Sequence, residues 1–262
     1  MPLLKYLNPR LLALSLMLSG LANLSCASEA RVLQISAAAS LAEVFTELEA
    51  AFEARNAPVD VRLNFGGSIA LARQLNYGAP GDLLAVASPQ ALEAVGRVVG
   101  VPQPFARNRL VQAWSDGNAG CDLVAWAKQK EGGRLALADP RLAPAGVYAW
   151  AALEGLGVAQ PLVAQRRLVL TGDVRQALAL VVRQEVDGAL VYQSDLAGVE
   201  IGASCPLQGM SEIVYMVATV TEAAPQSRRA QDAQAFLDLL LSDEGRRVLA
   251  KYGFGSRPDG ER

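Results

Sequence analysis

Two short segments place a serine behind residues with little or no side chain: AAAS at 37–40 and GGS at 66–68. Each follows a strand-like stretch and opens a helix-like one. A helix start presents unsatisfied N–H groups and a partial positive charge, so two converging starts make a site for an anion. Ala38, Ala39, Gly66 and Gly67 leave the backbone open to close approach. Serine is also among the commonest helix N-caps, so either loop alone reads more simply as an ordinary cap. Repetition of the design in two consecutive loops sets the binding reading beside the structural one.

Three later segments have the same character. In DPRLAPAGVY (139–148), Pro144 suits a first helical position, and Ala145 and Gly146 follow with N–H groups that no large side chain covers. GDVR at 172–175 is another strand-to-helix turn. The strand-like stretch 188–192 ends on Tyr192, which reads either as packing or as a hydroxyl donor to an anion. Asp139, Asp173 and Asp195 lie in these loops and are assigned capping and loop-tying roles.

Composition removes most alternatives. The chain has 262 residues and no histidine, which excludes Ser–His–Asp and Cys–His catalysis and His-based zinc sites. A secreted serine hydrolase built on Ser40 or Ser68 would need a lysine base. Beyond residue 27 the lysines are Lys128, Lys130 and Lys251, none in these loops, and no G-x-S-x-G elbow occurs. No catalytic residue is assigned, and with these loops read as an anion site no enzymatic activity, cofactor or direct protein–metal bond is expected. With 24 basic and 26 acidic residues there is no broad cationic surface, and nucleic acid is not an expected partner.

The elements that must position these loops alternate along the chain. Strands are predicted at 31–36, 59–65, 82–87, 109–114, 134–138, 167–170, 188–192 and 213–220, from apolar alternation or short apolar runs. Helices are predicted between them. In the first, Leu41, Val44, Phe45, Leu48 and Phe52 share one face, and Ser40 with Glu43 forms a capping-box pattern. Ser88-Pro89 marks another helix start, Asp173 caps a helix over 173–184, and one long amphipathic helix is predicted over 230–252. Strands alternating with helices imply α/β architecture with mostly parallel sheets, and the length suits two lobes. Ligands of such sheets sit beyond the carboxyl ends of the strands, where these loops converge.

The first 27 residues read as a secretory leader: Lys5 and Arg10, then an apolar stretch over 11–24 that is too short to span a membrane comfortably. Cys26 opens a lipoprotein reading, against which Asn23 stands where a leucine is wanted. Removing this leader takes two bases and no acid from the 24 and 26, leaving 22 and 26, a net charge of −4. Cys121 and Cys205 remain; an exported protein suits a disulfide between them, and two buried free thiols fit the sequence as well.

The segments SAAASL (36–41), FGGS (65–68), LARQ (71–74), GAPGDL (78–83), DP…PAGVY (139–148), DVRQAL (173–178) and VYQSD (191–195) occur in that order. Over nearly the whole mature chain this ordered set resembles the periplasmic molybdate-binding proteins of ABC importers. The resemblance implies a type II periplasmic-binding-protein fold: two α/β lobes, each a mostly parallel sheet flanked by helices, with the ligand in the interlobe cleft. It implies lobe I over 28–108 and 219–262 and lobe II over 109–218. It also implies oxyanion contacts from Ser40, Ser68, the backbone at Ala145 and Val174, and the Tyr192 hydroxyl. Ile69 stands where the family commonly has another small or hydroxyl-bearing residue. The implied partners are molybdate or tungstate and a membrane permease with its cytoplasmic ATPase, the binding protein acting as a periplasmic monomer. A receptor for sulfate or another tetrahedral oxyanion is the alternative within the same class. Fully deprotonated dianions call for donors only, whereas phosphate calls for an acceptor; an Asp of these loops entering the cleft would favour phosphate. A transcription-regulator effector domain shares the fold, but it needs a DNA-binding helix-turn-helix where this chain has a leader.

Overall fold

The structure, a computed structural model, describes residues 31–257 apart from 97–99, 118–120, 130–131, 208, 221–223 and 225. The leader expected at 1–27, with Cys26, lies outside the described residues. The chain opens on β1 (Arg31–Ala38) and passes through a 3-10 turn (Ala39–Leu41) into α1 (Ala42–Glu53). It continues through β2 (Val59–Gly66), α2 (Ser68–Asn76), β3 (Leu83–Val86), α3 (Pro89–Glu93) and β4 (Gln103–Asn108). After Arg109 come β5 (Leu110–Trp114), α4 (Leu123–Ala127), β6 (Leu135–Ala138), α5 (Pro144–Gly155) and α6 (Ala159–Ala164). Then follow β7 (Leu168–Thr171), α7 (Val174–Val182), β8 (Gly188–Tyr192), a 3-10 turn (Gln193–Leu196) and β9 (Ala203–Pro206). The strand β10 (Ile213–Thr219) leads to α8 (Arg228–Leu241) and α9 (Asp243–Lys251).

Two five-stranded sheets result, in the orders β2-β1-β3-β10-β4 and β7-β6-β8-β5-β9. β1 is parallel to β2 and β3, and β6 is parallel to β7 and β8, as right-handed βαβ units require. The remaining pairings are antiparallel, so each sheet is mixed rather than mostly parallel. The reason is the crossing: a strand arriving from the other lobe enters its sheet from the hinge end, against the strands that helices connect. β4 and β5 are separated by Arg109 alone, and the chain passes there from one sheet to the other.

The return crossing lies earlier than the boundary at 219. Ile213–Thr219 pairs along its length with β3 and β4, Val217 opposite Ala85 and Ile213 opposite Asn108, and so belongs to the first sheet. The long helix predicted over 230–252 is two helices. Ser242 breaks it because its hydroxyl accepts from the Gly245 N–H (3.2 Å) and donates to the Leu239 carbonyl (2.7 Å), capping a new helix. Two edge strands, β4 and β9, had no sequence expectation; QPFARN and ASCP lack the apolar alternation of a half-buried strand.

The α1 face read from the sequence is buried: Val44, Phe45, Leu48 and Phe52 share one core cluster with Leu33 and Ile35 of β1. Phe236 of α8 closes that layer, with ring centroids 5.9 Å from Phe45 and 5.3 Å from Phe52. Burial of such side chains contributes about 1.5–3 kcal/mol each, which makes each sheet a firm platform for its loops. Cys121 and Cys205 are joined as a disulfide with a Cα separation of 5.6 Å, fastening β9 to the segment before α4. Among the described residues, no helix is long and apolar enough to cross a membrane.

Candidate functional site

The carboxyl ends of β1, β2, β6, β7 and β8 deliver their following loops to one small cavity. It offers about 10 Å³ to the centre of a water molecule and is lined by Ser40, Ser68, Ala145, Val174 and Tyr192. Ala38, Ala39, Gly66 and Gly67 form its near wall and Ala143 and Pro144 part of the far one. The five residues singled out from the sequence thus line one space, brought from both sheets. The size suits a single small ion rather than an organic solute, whose pockets run to several hundred Å³. A larger depression of about 570 Å³ opens beside Ile69, Pro89, Val147 and Tyr148. Its lining includes the Glu212 carboxylate, and the Ser88 hydroxyl there is already used as a helix cap. Ile69, at the position where the family commonly has a small or hydroxyl-bearing residue, is partly buried against the cluster around Leu71 and Leu75.

Neither serine caps a helix, contrary to the sequence reading. Ser40 sits inside the 3-10 turn, one residue ahead of the α1 N-cap, Leu41, and its hydroxyl turns instead to the Tyr215 hydroxyl at 2.8 Å. The capping box with Glu43 does not form; Glu43 reaches across to Arg175. Ser68 is the first residue of α2 behind the N-cap Gly67, and its Oγ accepts from the Ala87 N–H at 3.1 Å. A hydroxyl that accepts from an N–H keeps its own proton free to donate.

The second lobe supplies further donors. Ala145 is at the second position of α5, where an N–H has no intrahelical acceptor. At α7, Asp173 caps as expected: its Oδ1 accepts from Arg175 N–H (2.9 Å) and Gln176 N–H (3.0 Å), and its Oδ2 from Gln176 Nε2 (3.0 Å). That arrangement passes over the Val174 N–H and engages both oxygens of the one carboxylate among the described lining residues. None of those lining residues is basic. Asp139 is turned away too, accepting from Arg141 N–H (2.8 Å) and its guanidinium.

Tyr192 is 2% exposed and its hydroxyl has no hydrogen-bond partner within the protein. A buried polar group without a partner is rare and marks a site whose partner is something else. Burial also pushes the phenol well above its ordinary value, so it stays a protonated donor. Behind it, Asp195 accepts from the Tyr192 N–H at 2.9 Å, and its other oxygen lies 3.4 Å from Arg175 Nε.

Burial raises the Asp195 carboxyl from its ordinary 3.8 to about 7, against the pull of Arg175 and the Tyr192 N–H. The folded chain therefore holds a proton that the unfolded chain releases. Stability from that proton is fully present below about pH 4 and is lost as pH rises towards 7. Asp195→Asn is expected to flatten this part of the curve of thermal midpoint against pH. Identical slopes in variant and parent between pH 4 and 7 would contradict the assignment.

Several contributors are invisible to local sequence patterns because they arise where the lobes meet. Ala70 N–H donates to the Leu142 carbonyl at 3.0 Å, and Arg175 pairs with Glu43. The Tyr148 hydroxyl lies 3.5 Å from the Ala87 carbonyl. Gly67 packs so tightly that a Cβ there would come within 2.8 Å of the Gly172 carbonyl oxygen and closer still to that of Leu142.

Comparison with known proteins agrees with this architecture. Residues 33–255 match the family described as bacterial extracellular solute-binding protein. The molybdate-binding protein ModA of Escherichia coli (strain K12) is 32% identical over 84% of this chain and 87% of its own length. ModA of Haemophilus influenzae is 30% identical over 93% of this chain and 96% of its own. The solved periplasmic molybdate-binding protein of Azotobacter vinelandii superposes with a TM-score of 0.75 at 20% identity, covering 86% of this chain and 100% of that one. That likeness carries the two-lobed fold, and the sequence match carries the relationship: this chain belongs to the bacterial extracellular solute-binding proteins.

Proposed function

We propose that this protein captures molybdate, and tungstate with it, outside the cytoplasmic membrane for ABC-type import. The observation that carries the reading is a cavity lined by hydroxyl and main-chain donors whose single carboxylate, among the described lining residues, already accepts from its own helix. The Ser68 oxygen already accepts from a main-chain N–H, Tyr192 is an unpartnered buried phenol, and Asp173 is consumed by its own helix. Molybdate and tungstate are fully deprotonated tetrahedral dianions at neutral pH, so each oxygen accepts. Phosphate retains a proton there, and the one lining carboxylate that would best accept it is already bonded to its own helix. The ModA relatives, named as molybdate-binding, support the same solute.

In this reading Ser40, Ser68, Tyr192 and the N–H groups of Ala145 and Val174 hold the oxyanion. Molybdenum arrives inside its oxygen shell, with no direct protein–metal bond, no prosthetic group and no turnover. Hydrogen bonds to a charged group contribute roughly 1.5–3 kcal/mol each. Five of them, less dehydration, suit micromolar to nanomolar binding, about −8 to −12 kcal/mol. The leader at 1–27 would export the chain to the periplasm, where a monomer hands the anion to a membrane permease driven by a cytoplasmic ATPase.

Isothermal titration of the mature chain against molybdate, tungstate, sulfate and phosphate tests this. Tight 1:1 binding of the first two, weaker sulfate and no phosphate is the expected order. Preference for phosphate, or no heat with molybdate, would overturn the proposal.

A further inference from the structure

We propose that Tyr215 is a positioning residue that fixes the direction of the Ser40 hydroxyl, making Ser40 an obligate donor to the anion; this rests on the oxyanion reading above. Tyr215 lies on β10, the strand returning from the second lobe, and is fully buried. Its hydroxyl is 2.8 Å from Ser40 Oγ and 3.4 Å from Asn108 Nδ2.

The orientation of Asn108 sets the polarity. Its Oδ1 accepts from the Arg109 N–H (2.9 Å) and the Ser194 N–H (3.4 Å), both donors only. Its Nδ2 therefore faces Ser194 Oγ (2.8 Å) and the Tyr215 hydroxyl. An amide NH2 cannot accept, so the Tyr215 oxygen receives from Asn108 and its single proton goes to Ser40 Oγ. The reverse arrangement, Ser40 donating to Tyr215, would leave the phenol proton only the neighbouring Tyr192 hydroxyl. That hydroxyl is not in hydrogen-bonding geometry with any protein group, whereas Ser40 Oγ stands at 2.8 Å. With its oxygen occupied from behind, Ser40 turns its own proton to the cavity.

The relay thus runs from Asn108 through Tyr215 and Ser40 to the ligand. Ser68 reaches the same state by a different route, since the donor behind it is the Ala87 main-chain N–H. One serine is set by backbone and the other by a side chain, and only the second can be reversed by substitution. The consequence is chemical discrimination. A serine held as a donor rewards an oxygen without a proton and penalises one that carries a proton.

A double-mutant cycle in the mature chain, read by isothermal titration, tests the relay. Tyr215→Phe keeps the ring that packs edge-on against Phe105, Tyr192 and Phe254 and removes only the hydroxyl. It is expected to weaken molybdate about tenfold in the parent and less than twofold in a Ser40→Ala background, and to narrow the preference for molybdate over phosphate. Equal losses in both backgrounds would show a merely structural role and overturn the relay, as would no loss in the parent. If Ser40→Ala alone weakens molybdate while Tyr215→Phe shows no coupling, the relay falls and the oxyanion site stands. If the parent does not bind molybdate, both fall.

Discussion

Gly67→Ala is expected to weaken molybdate at least 100-fold while leaving the ligand-free fold intact. The two halves of that expectation come from different atoms. Within its own loop Gly67 has φ −64° and ψ 130°, a conformation any residue adopts, so alanine introduces no backbone strain in the first lobe. A Cβ would nevertheless meet the carbonyl oxygens of Leu142 and Gly172, main-chain atoms of the second lobe that have no rotamer to escape into. The lobes must then stand apart, and the Ala70 N–H to Leu142 bond goes with the contact. Donors contributed by Ala145, Val174 and Tyr192 would no longer reach an anion held by Ser40 and Ser68. A loss of 100-fold corresponds to about 2.8 kcal/mol, no more than one or two charge-assisted hydrogen bonds. Titration calorimetry gives the affinity and thermal unfolding of the ligand-free chain gives the control. Undiminished binding would mean that closure does not pass through this contact.

The second large effect belongs to Tyr192→Phe, and it carries opposite signs in two measurements. Removing the hydroxyl deletes a donor to a charged acceptor, so molybdate affinity is expected to fall by roughly 1.5–3 kcal/mol, or 10- to 150-fold. The same hydroxyl is buried with no partner in the ligand-free chain, an unfavourable state that phenylalanine relieves. The ligand-free variant is therefore expected to unfold at the same temperature as the parent or above it. The ring contact with Tyr215, 5.7 Å between centroids, is retained. A residue present for packing would give the contrary pattern of lower stability and unchanged affinity.

These effects share a physical origin with the limits of the sequence reading. What was legible was local. Alternation in residues 59–65, the apolar face of α1 and the Ser88 and Asp173 caps each depend on interactions within a few residues of chain. The parallel βαβ order follows from those elements, and it predicts that their loops meet at one end of each sheet. The capping-box reading of Ser40 failed for the complementary reason. A cap is a local competitor for a hydroxyl, and here a partner 175 residues away wins it.

The amino-acid order alone therefore determined the two-lobed α/β class, the absence of histidine chemistry and the loops that gather at the cavity. Only the tertiary structure decided which partner each hydroxyl meets, that Gly67 carries the contact between lobes, that Arg175 bridges to Glu43, and that β10 belongs to the first sheet. Helix starts and strand faces are written by neighbours in the chain, whereas hydrogen-bond direction and close approach are written by neighbours in space. Those exist only once the loops of two separately built sheets have been brought together.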